Sequence, residues 1–198
     1  MKEELFRNYT ELQSERLLLR NLTGQDASDV FEIYSDPEVM KYFDDRSAFK
    51  ELSEADQMIS EYNNAIRDKN GMRWGIELKA SGKLIGTCGF HAISDYHKRI
   101  ETGYDLNRKY WGNGFMSEAL SLIIDHAYNH SEVNRIEAYV ETPNKASRSL
   151  LEKLGFRMEG ILREHEMCRG SLIDIQILSL LRKEWKAADG AGRDQPRL

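Results

Sequence analysis

A glycine-containing segment stands out in this 198-residue sequence as a place where chemistry could occur. It reads Lys109-Tyr-Trp-Gly-Asn-Gly-Phe115 and joins a predicted strand ending near Leu106 to the strongest predicted helix of the chain. Glycines let the backbone come close to a ligand, and the free N–H groups and positive dipole of a helix start favour a pyrophosphate. The pattern therefore predicts an anion-binding loop, with a helix-start turn that binds no ligand as an equal alternative.

Two well-known phosphate loops do not match this segment. A P-loop needs Gly-Lys-Ser/Thr, whereas Gly114 is followed by Phe115 and Met116. A Rossmann loop needs a third small residue, for which Ser117 could serve, but it opens a strand–helix–strand unit and here several hairpin strands come first. If the loop binds a phosphorylated ligand, the fold that carries it is neither a P-loop fold nor a Rossmann fold.

Seven strands and four helices are predicted to position this loop. Ser53 and Asp56 resemble a capping box, and Gly103 in mid-strand indicates a β-bulge. Apolar periodicity predicts strands over 15–21, 73–78, 83–90, 99–106, 135–141, 156–166 and 172–181, and helices over 23–35, 53–69, 115–128 and 144–154. This order predicts an α/β (α+β) fold built around one mixed sheet.

Several motifs together resemble the GNAT superfamily of acyl-CoA-dependent N-acyltransferases, and most closely its RimJ/RimL-like branch, named for ribosomal-protein N-terminal acetyltransferases. They are Glu101-Thr-Gly-Tyr104, Tyr110-Trp-Gly-Asn-Gly-Phe-Met-Ser-Glu-Ala119, Asn144-Lys-Ala-Ser147, Leu154-Gly-Phe156 and Glu159-Gly160. The resemblance runs from about Glu15 to Trp185. It implies a single domain whose central mixed, mostly antiparallel sheet is splayed in the middle, with helices on both faces and acetyl-CoA in the gap.

The resemblance also implies which residues hold the cofactor. Lys109 stands where the superfamily has Gln or Arg, a departure of little consequence because backbone N–H groups bind the pyrophosphate. The strand-end backbone would meet the pantetheine amides, and Asn144 would either offer its side-chain amide nearby or act only as a helix N-cap. The implied cofactor residues are Leu106, Asn107, Lys109, Tyr110, Trp111, Gly112, Asn113, Gly114, Phe115, Ser117 and Asn144.

Three residues are candidates for catalysis by this resemblance. Many relatives place a Tyr general acid where this chain has Leu151, and the RimL-like branch uses a Ser one turn earlier, here Ser147. Glu166 lies where that branch has its general base, and Glu101 is the competing base. The alternatives are a helix-start role for Ser147, an exposed strand-end carboxylate for Glu166, and an ion pair with Arg99 or Lys98 for Glu101.

Composition excludes several other functions. The 28 basic and 33 acidic residues give a net charge of −5, which argues against a nucleic-acid partner. No apolar run suits a membrane span or a secretion signal, so a cytoplasmic protein with two reduced cysteines is expected. His126 and His130 are spaced as half a zinc site, but a third ligand is missing and no metal is predicted.

The predicted reaction is transfer of an acetyl group from acetyl-CoA to a primary amine, most plausibly a protein or peptide N-terminus. A polyamine, an amino acid or an aminoglycoside is the alternative acceptor, and a non-catalytic acyl-CoA-binding module is the alternative class. The acidic pair Asp44-Asp45 would attract a cationic acceptor. Residues 1–14 are predicted to be an extension, 15–186 the N-acetyltransferase domain and 187–198 a mobile tail, and a homodimer is left open.

Overall fold

The computed structural model describes residues 1–43 and 46–185, which fold into six helices and eight strands within those ranges. Two short 3₁₀ turns, Gly24–Asp26 and Arg108–Tyr110, precede longer elements. The helices are α1 (Lys2–Arg7), α2 (Ala27–Tyr34), α3 (Pro37–Met40), α4 (Leu52–Arg67), α5 (Phe115–His130) and α6 (Lys145–Lys153). The strands are β1 (Leu12–Gln13), β2 (Leu17–Arg20), β3 (Met72–Leu78), β4 (Lys83–Ser94), β5 (Arg99–Leu106), β6 (Arg135–Glu141), β7 (Arg157–Cys168) and β8 (Ser171–Leu181).

All eight strands form one sheet in the order β1-β2-β3-β4-β5-β6-β8-β7. Every neighbouring pair is antiparallel except β5 and β6, which run parallel. The parallel register covers only Arg99 to Glu101 of β5, opposite Arg135 to Glu137 of β6. Beyond these residues the two strands diverge, so the predicted mixed, mostly antiparallel sheet with a splayed middle is confirmed.

Helices cover both faces of the sheet, as predicted. On one face, α5 and α6 pack with side chains of β2 to β8 in an apolar cluster that includes Trp74, Ile123 and Leu151. On the other face, α2, α3 and α4 form a second cluster that meets the sheet at Leu22 and Leu84. These clusters pack on the central strands from both sides.

The N-terminal segment is packed against the domain in this structure. Leu5 of α1 is fully buried in the cluster beneath α5, and the Trp74 Nε1–H donates to the Thr10 carbonyl at 2.9 Å. The predicted boundaries at residues 14 and 186 stay a prediction. The expected tail 187–198 and the acidic pair Asp44-Asp45 lie outside the described residues.

Two local expectations were wrong. Helix α4 begins at Leu52 with a capping box between Glu51 and Glu54, in which the Glu51 N–H donates to the Glu54 carboxylate at 2.8 Å, and not with Ser53 and Asp56. Gly103 forms no bulge, since it pairs in register with Gly89. A Cβ at Gly103 would lie 3.2 Å from Nη1 of Arg73, so the glycine makes room for a guanidinium.

His126 of α5 is a buried histidine without a hydrogen-bond partner for its Nε2 among the described residues. Its ring lies 4.8 Å from that of His130 and 6.0 Å from that of Trp74. Burial, and secondarily the proximity of His130, lowers the pKa of His126 to about 4. The imidazole is therefore neutral in the folded protein at pH values where an unfolded chain would already bind the proton.

We expect this difference to make stability depend on pH. Between about pH 6.5 and about pH 4 the unfolded state takes up a proton that folded His126 does not, so the free energy of unfolding falls as pH falls. The loss reaches about 3 kcal/mol at the acidic end of this window. Urea denaturation of the wild type and His126→Gln across the window measures it.

The variant should lose most of the pH dependence that the wild type shows over this range. His97→Gln is the matched control, because His97 is exposed in the loop between β4 and β5, and it should keep the wild-type slope. A slope for His126→Gln equal to that of the wild type would contradict the assignment.

Candidate active site

A cavity of about 1000 Å³ opens where β5 and β6 diverge. It reaches the glycine loop before α5 at one end and the segment after α3 at the other. Glu101, Ser147 and Glu166, which are far apart in sequence, all line it. The structure thus brings the three candidate catalytic residues to one site, while their roles stay a prediction.

These three residues approach the cavity from different sides of the sheet. Ser147 belongs to α6, on the face where α5 packs. Glu101 points to the opposite face, because it lies opposite Glu137 in the parallel register and alternates with the inward residue Ile100. Glu166 shares this second face. The cavity therefore passes through the sheet rather than lying on it.

Ser147 is held in place by two neighbours. The Asn144 side chain accepts a hydrogen bond from the Ser147 N–H at 3.1 Å, which caps α6 as predicted. The Tyr104 hydroxyl of β5 lies 2.7 Å from the Ser147 Oγ and lines the same cavity. Burial raises the pKa of Tyr104, so its phenol stays protonated. Leu151, where relatives place a Tyr, is fully buried in the core.

Glu101 has a different partner from either expected one. Its carboxylate lies 3.1 Å from the His91 Nε2 of the neighbouring strand β4. Arg99 pairs instead with Glu137, and Lys98 with Glu132. The alternative of an ion pair between Glu101 and Arg99 or Lys98 was therefore wrong. Arg99 lies on the same face of β5 as Glu101, but its guanidinium reaches across to Glu137 of β6.

Glu166 is exposed on β7, where it pairs in register with Ile173 of β8. Tyr139 of β6 lines the cavity beside it and stacks on His165, with ring centroids 6.2 Å apart. Burial, and secondarily the charge of Glu137, raises the pKa of Tyr139. Glu166 therefore lines the cavity while staying accessible to solvent.

The glycine loop contains two glycines in the left-handed backbone region. Gly112 and Gly114 both have φ +77°, a conformation that other residues adopt only with strain. A Cβ on Gly112 would meet no atom within 4 Å among the described residues, and Gly114 is the N-cap of α5. The cavity is lined here by Tyr110, Trp111, Gly112, Gly114, Phe115 and Ser117.

Arg16, which the sequence analysis did not single out, fixes this loop. Its guanidinium forms an ion pair with Glu118 in the first turn of α5 and donates to the Asn113 carbonyl at 3.2 Å. It also lies 4.5 Å above the Phe115 ring. Arg16, which lies between β1 and β2, therefore holds the start of α5 in place. The two segments are distant in sequence and meet only in the folded chain.

Three implied cofactor residues do not line the cavity: Asn107, Lys109 and Asn113. Asn107 and Lys109 turn toward Glu32 of α2, with distances of 3.0 and 2.7 Å to its Oε1. Hydrogen bonds from Lys109, Lys83 and Asn107 lower the pKa of Glu32 to about 2. Asn113 donates to the Tyr110 and Trp111 carbonyls, so all three side chains brace the loop from behind.

The main-chain groups at the end of β5, near Leu106, already have hydrogen-bond partners. Its carbonyl accepts a hydrogen bond from the Trp111 Nε1–H at 2.7 Å, and the next N–H, that of Asn107, donates to the Ile85 carbonyl at 2.8 Å. Trp111 therefore ties the loop to the end of β5. Asn144 lines the opposite wall, and its amide nitrogen makes no hydrogen bond within residues 1–43 and 46–185.

The cavity is lined by many charged groups. Arg73 forms an ion pair with Asp105, and the Tyr34 hydroxyl donates to the same carboxylate at 3.2 Å. The lining carboxylates are Glu38, Glu61, Glu101, Asp105, Glu141 and Glu166, and the lining cations are Lys41, Arg46, Arg73 and Lys153. These groups line the whole cavity, and Arg46 pairs with Glu61 and Arg169 with Glu141. The net excess of negative charge around the cavity is therefore small, and it favours a cationic ligand over an anionic one.

Neither a metal cluster nor a membrane helix is found among the described residues. No group of three or more His, Cys, Asp or Glu side chains there could hold a metal ion. No helix in these ranges is long and apolar enough to cross a bilayer. His126 and His130 stack on each other, and the His130 Nδ1 lies 3.1 Å from the His126 carbonyl.

Comparison with known proteins identifies the fold and its chemistry. A family model described as an acetyltransferase (GNAT) domain matches residues 16–157. The uncharacterized N-acetyltransferase p20 of Bacillus licheniformis is 42% identical over 174 residues, which is 88% of this chain and 97% of that protein. The crystal structure of a GNAT-family acetyltransferase from Bacillus anthracis superposes with a TM-score of 0.79 at 26% identity, covering 88% of this chain and all of the other.

Two more distant relatives from Escherichia coli are named for different acceptors. The ribosomal-protein-serine acetyltransferase is 26% identical over 125 residues, 63% of this chain and 70% of that protein. The spermidine N(1)-acetyltransferase is also 26% identical, over 154 residues, 77% of this chain and 78% of that protein. The prediction of an N-acetyltransferase is confirmed: the chain belongs to the GNAT family, whose members transfer the acetyl group of acetyl-CoA to an amine.

Proposed function

We propose that this enzyme acetylates the α-amine at the N-terminus of a protein or peptide. The observation that carries the proposal is the excess of carboxylates over cations among the residues that line the cavity, which favours a positively charged amine. Glu166 is exposed on β7 and lines the cavity, so a polypeptide terminus can reach it. The ribosomal-protein relative supports this acceptor, and the spermidine relative supports a polyamine as the second candidate.

The cofactor occupies the glycine-loop end of the cavity in this proposal. The pyrophosphate of acetyl-CoA lies against the backbone N–H groups between Gly112 and Ser117, where the dipole of α5 adds favourable charge. The pantetheine passes between β5 and β6. It lies beside the amide nitrogen of Asn144, which makes no hydrogen bond with any of the described residues. The thioester then reaches the level of Ser147.

The reaction is direct attack of the amine on the thioester carbonyl. A base takes the ammonium proton, and a donor protonates the departing thiolate. We assign the base to Glu166, with Glu101 as the competing candidate, and the donor to Ser147. Both carboxylates face the acceptor side, whereas Ser147 lies on the cofactor side. This arrangement suits the two proton transfers, because one takes a proton from the amine and the other gives a proton to the thiolate.

The loop assignment predicts a loss of cofactor binding in Gly114→Val. A side chain there strains the backbone at φ +77°, and its Cβ would lie 3.7 Å from Nη2 of Arg16, the residue that fixes the loop. The loop N–H groups would then no longer be held in place for the pyrophosphate. For the wild type, CoA at about 100 times its Kd should stabilise the fold by about 2.7 kcal/mol, measured as a rise in Tm.

Gly82→Val is the matched control, because Gly82 has a similar φ of +67° in the distant β3–β4 turn. This variant should be destabilised by a similar amount, about 1–2 kcal/mol, yet keep the CoA-induced rise in Tm. An undiminished rise in Gly114→Val, or none in the wild type with millimolar CoA, would contradict the assignment.

The base assignment predicts a pH signature for Glu166→Gln. The substitution keeps the shape and removes the basicity, so kcat should fall by about 10²-fold or more at low pH and recover partly at high pH, where the amine is already deprotonated. Glu164→Gln, a neighbour on β7 that does not line the cavity, should keep the wild-type profile. If Glu101→Gln shows the signature instead, the two roles exchange, and a pH-independent loss indicates positioning only.

The acceptor assignment predicts a preference for α-amines over lysine side chains. An α-amine titrates near 7.8 and a lysine near 10.4, so presenting the free amine of lysine at neutral pH costs about 3.5 kcal/mol more. A peptide with a free N-terminus should therefore exceed its N-blocked, lysine-containing counterpart in kcat/KM. Salt should weaken the electrostatic attraction of both cationic peptides to the cavity and leave the preference between them in place. Faster turnover of spermidine than of every peptide tested would reassign the acceptor.

A further inference from the structure

Tyr104 lies in the catalytic cavity without a part in the reaction described so far. Its hydroxyl is 2.7 Å from the Ser147 Oγ, and both residues line the cavity. It comes from β5, beyond the point where β5 pairs with β6, whereas Ser147 comes from α6 on the facing wall. Given the proposed role of Ser147, we propose that Tyr104 is the source of the proton that the CoA thiolate receives, with Ser147 as the relay.

Relative acidity is the reason for assigning the source to the phenol. A thiol titrates near 8.5 and a tyrosine near 10, whereas an aliphatic hydroxyl such as that of Ser147 is far less acidic than either. A serine acting alone would be left as an alkoxide. With Tyr104 behind it, the charge ends on a phenolate. Burial raises the pKa of Tyr104 above the ordinary tyrosine value, but a phenolate is still a weaker base than a serine alkoxide and so closer in basicity to the thiolate.

The step balances as a concerted transfer. As the carbonyl carbon of the tetrahedral intermediate re-forms its double bond, the C–S bond breaks and its electron pair stays on sulfur. The Ser147 Oγ–H proton moves to that sulfur, and the Tyr104 proton moves to Oγ across the 2.7 Å contact. The phenolate regains a proton from solvent. The base in turn releases to solvent the proton that it took from the amine, so no net charge remains on the enzyme.

The surroundings favour this pair over any other phenol at the site. Tyr62 lies near the Tyr34 hydroxyl at 3.3 Å, on the α2–α4 side of the sheet, and Tyr139 stacks on His165. Among the described residues, only Tyr104 places a phenol against Ser147. The Asn144 cap fixes the turn of α6 that carries the Ser147 hydroxyl, so the relay is formed before substrate arrives.

The first test is kinetic. Tyr104→Phe and Ser147→Ala should each lower kcat by about 10- to 100-fold with little change in CoA affinity, and the double variant should be no slower than the slower single variant. Tyr128→Phe is the matched control. It also removes a buried phenol, one that donates to the Leu180 carbonyl at 2.6 Å outside the cavity, and should change stability but not kcat.

Fluorinated tyrosines at position 104 separate a chemical role from a structural one. They keep the ring and the hydroxyl in place while making the phenol more acidic, so kcat should change in step with phenol acidity. A purely structural Tyr104 would give the same kcat for every analogue, which would overturn the proposal. These analogues also decide the matter if Tyr104→Phe does not fold.

A titration of bound CoA tests the pair without any acceptor. Hydrogen-bond donors near the sulfur stabilise the thiolate and lower its pKa. The chemical shift of the sulfur-bound carbon in isotope-labelled CoA should show a thiol pKa below 8.5 in the wild type and a higher one in Tyr104→Phe. Equal values in the two proteins would overturn the relay. Failure of every amine as an acceptor, with the shift present, would instead overturn the proposed function and leave the relay standing.

Discussion

The parallel contact between β5 and β6 is only three residues long, and the site depends on where it ends. β5 stays paired with β4 as far as Leu106, and β6 stays paired with β8 as far as Glu141. Because each strand follows its outer neighbour, the two separate beyond Glu101 and leave main-chain groups facing a cleft. Such groups need hydrogen-bond partners, so the cleft is suited to a ligand rich in amides.

In the proposed mechanism, the same separation divides the two proton transfers between the two faces of the sheet. Ser147 and Tyr104 stand on the side of α5 and α6, whereas Glu101 and Glu166 stand on the other. The gap then lets both groups reach one reacting carbon.

Much of the fold was predictable from the sequence, and β5 and β6 were predicted with the bounds that the structure shows. Strand alternation even placed Tyr104 and Glu101 on opposite faces. The contacts across the site were not predictable, because Ser147 is 43 positions from Tyr104 and Arg16 is 102 positions from Glu118. Periodicity describes which way a side chain points, not which distant side chain it meets.

The apolar cluster beneath the cleft is continuous from Leu17 of β2 through α5 to Leu180 of β8. Since the same packed residues lie under both halves of the sheet, the halves form one mechanical body rather than two lobes joined by a hinge. A ligand that enters the cleft meets walls whose separation is already set. Its binding therefore costs little free energy for rearrangement of the protein. Recognition by a preorganised groove, rather than by induced fit, is the mode that this packing supports.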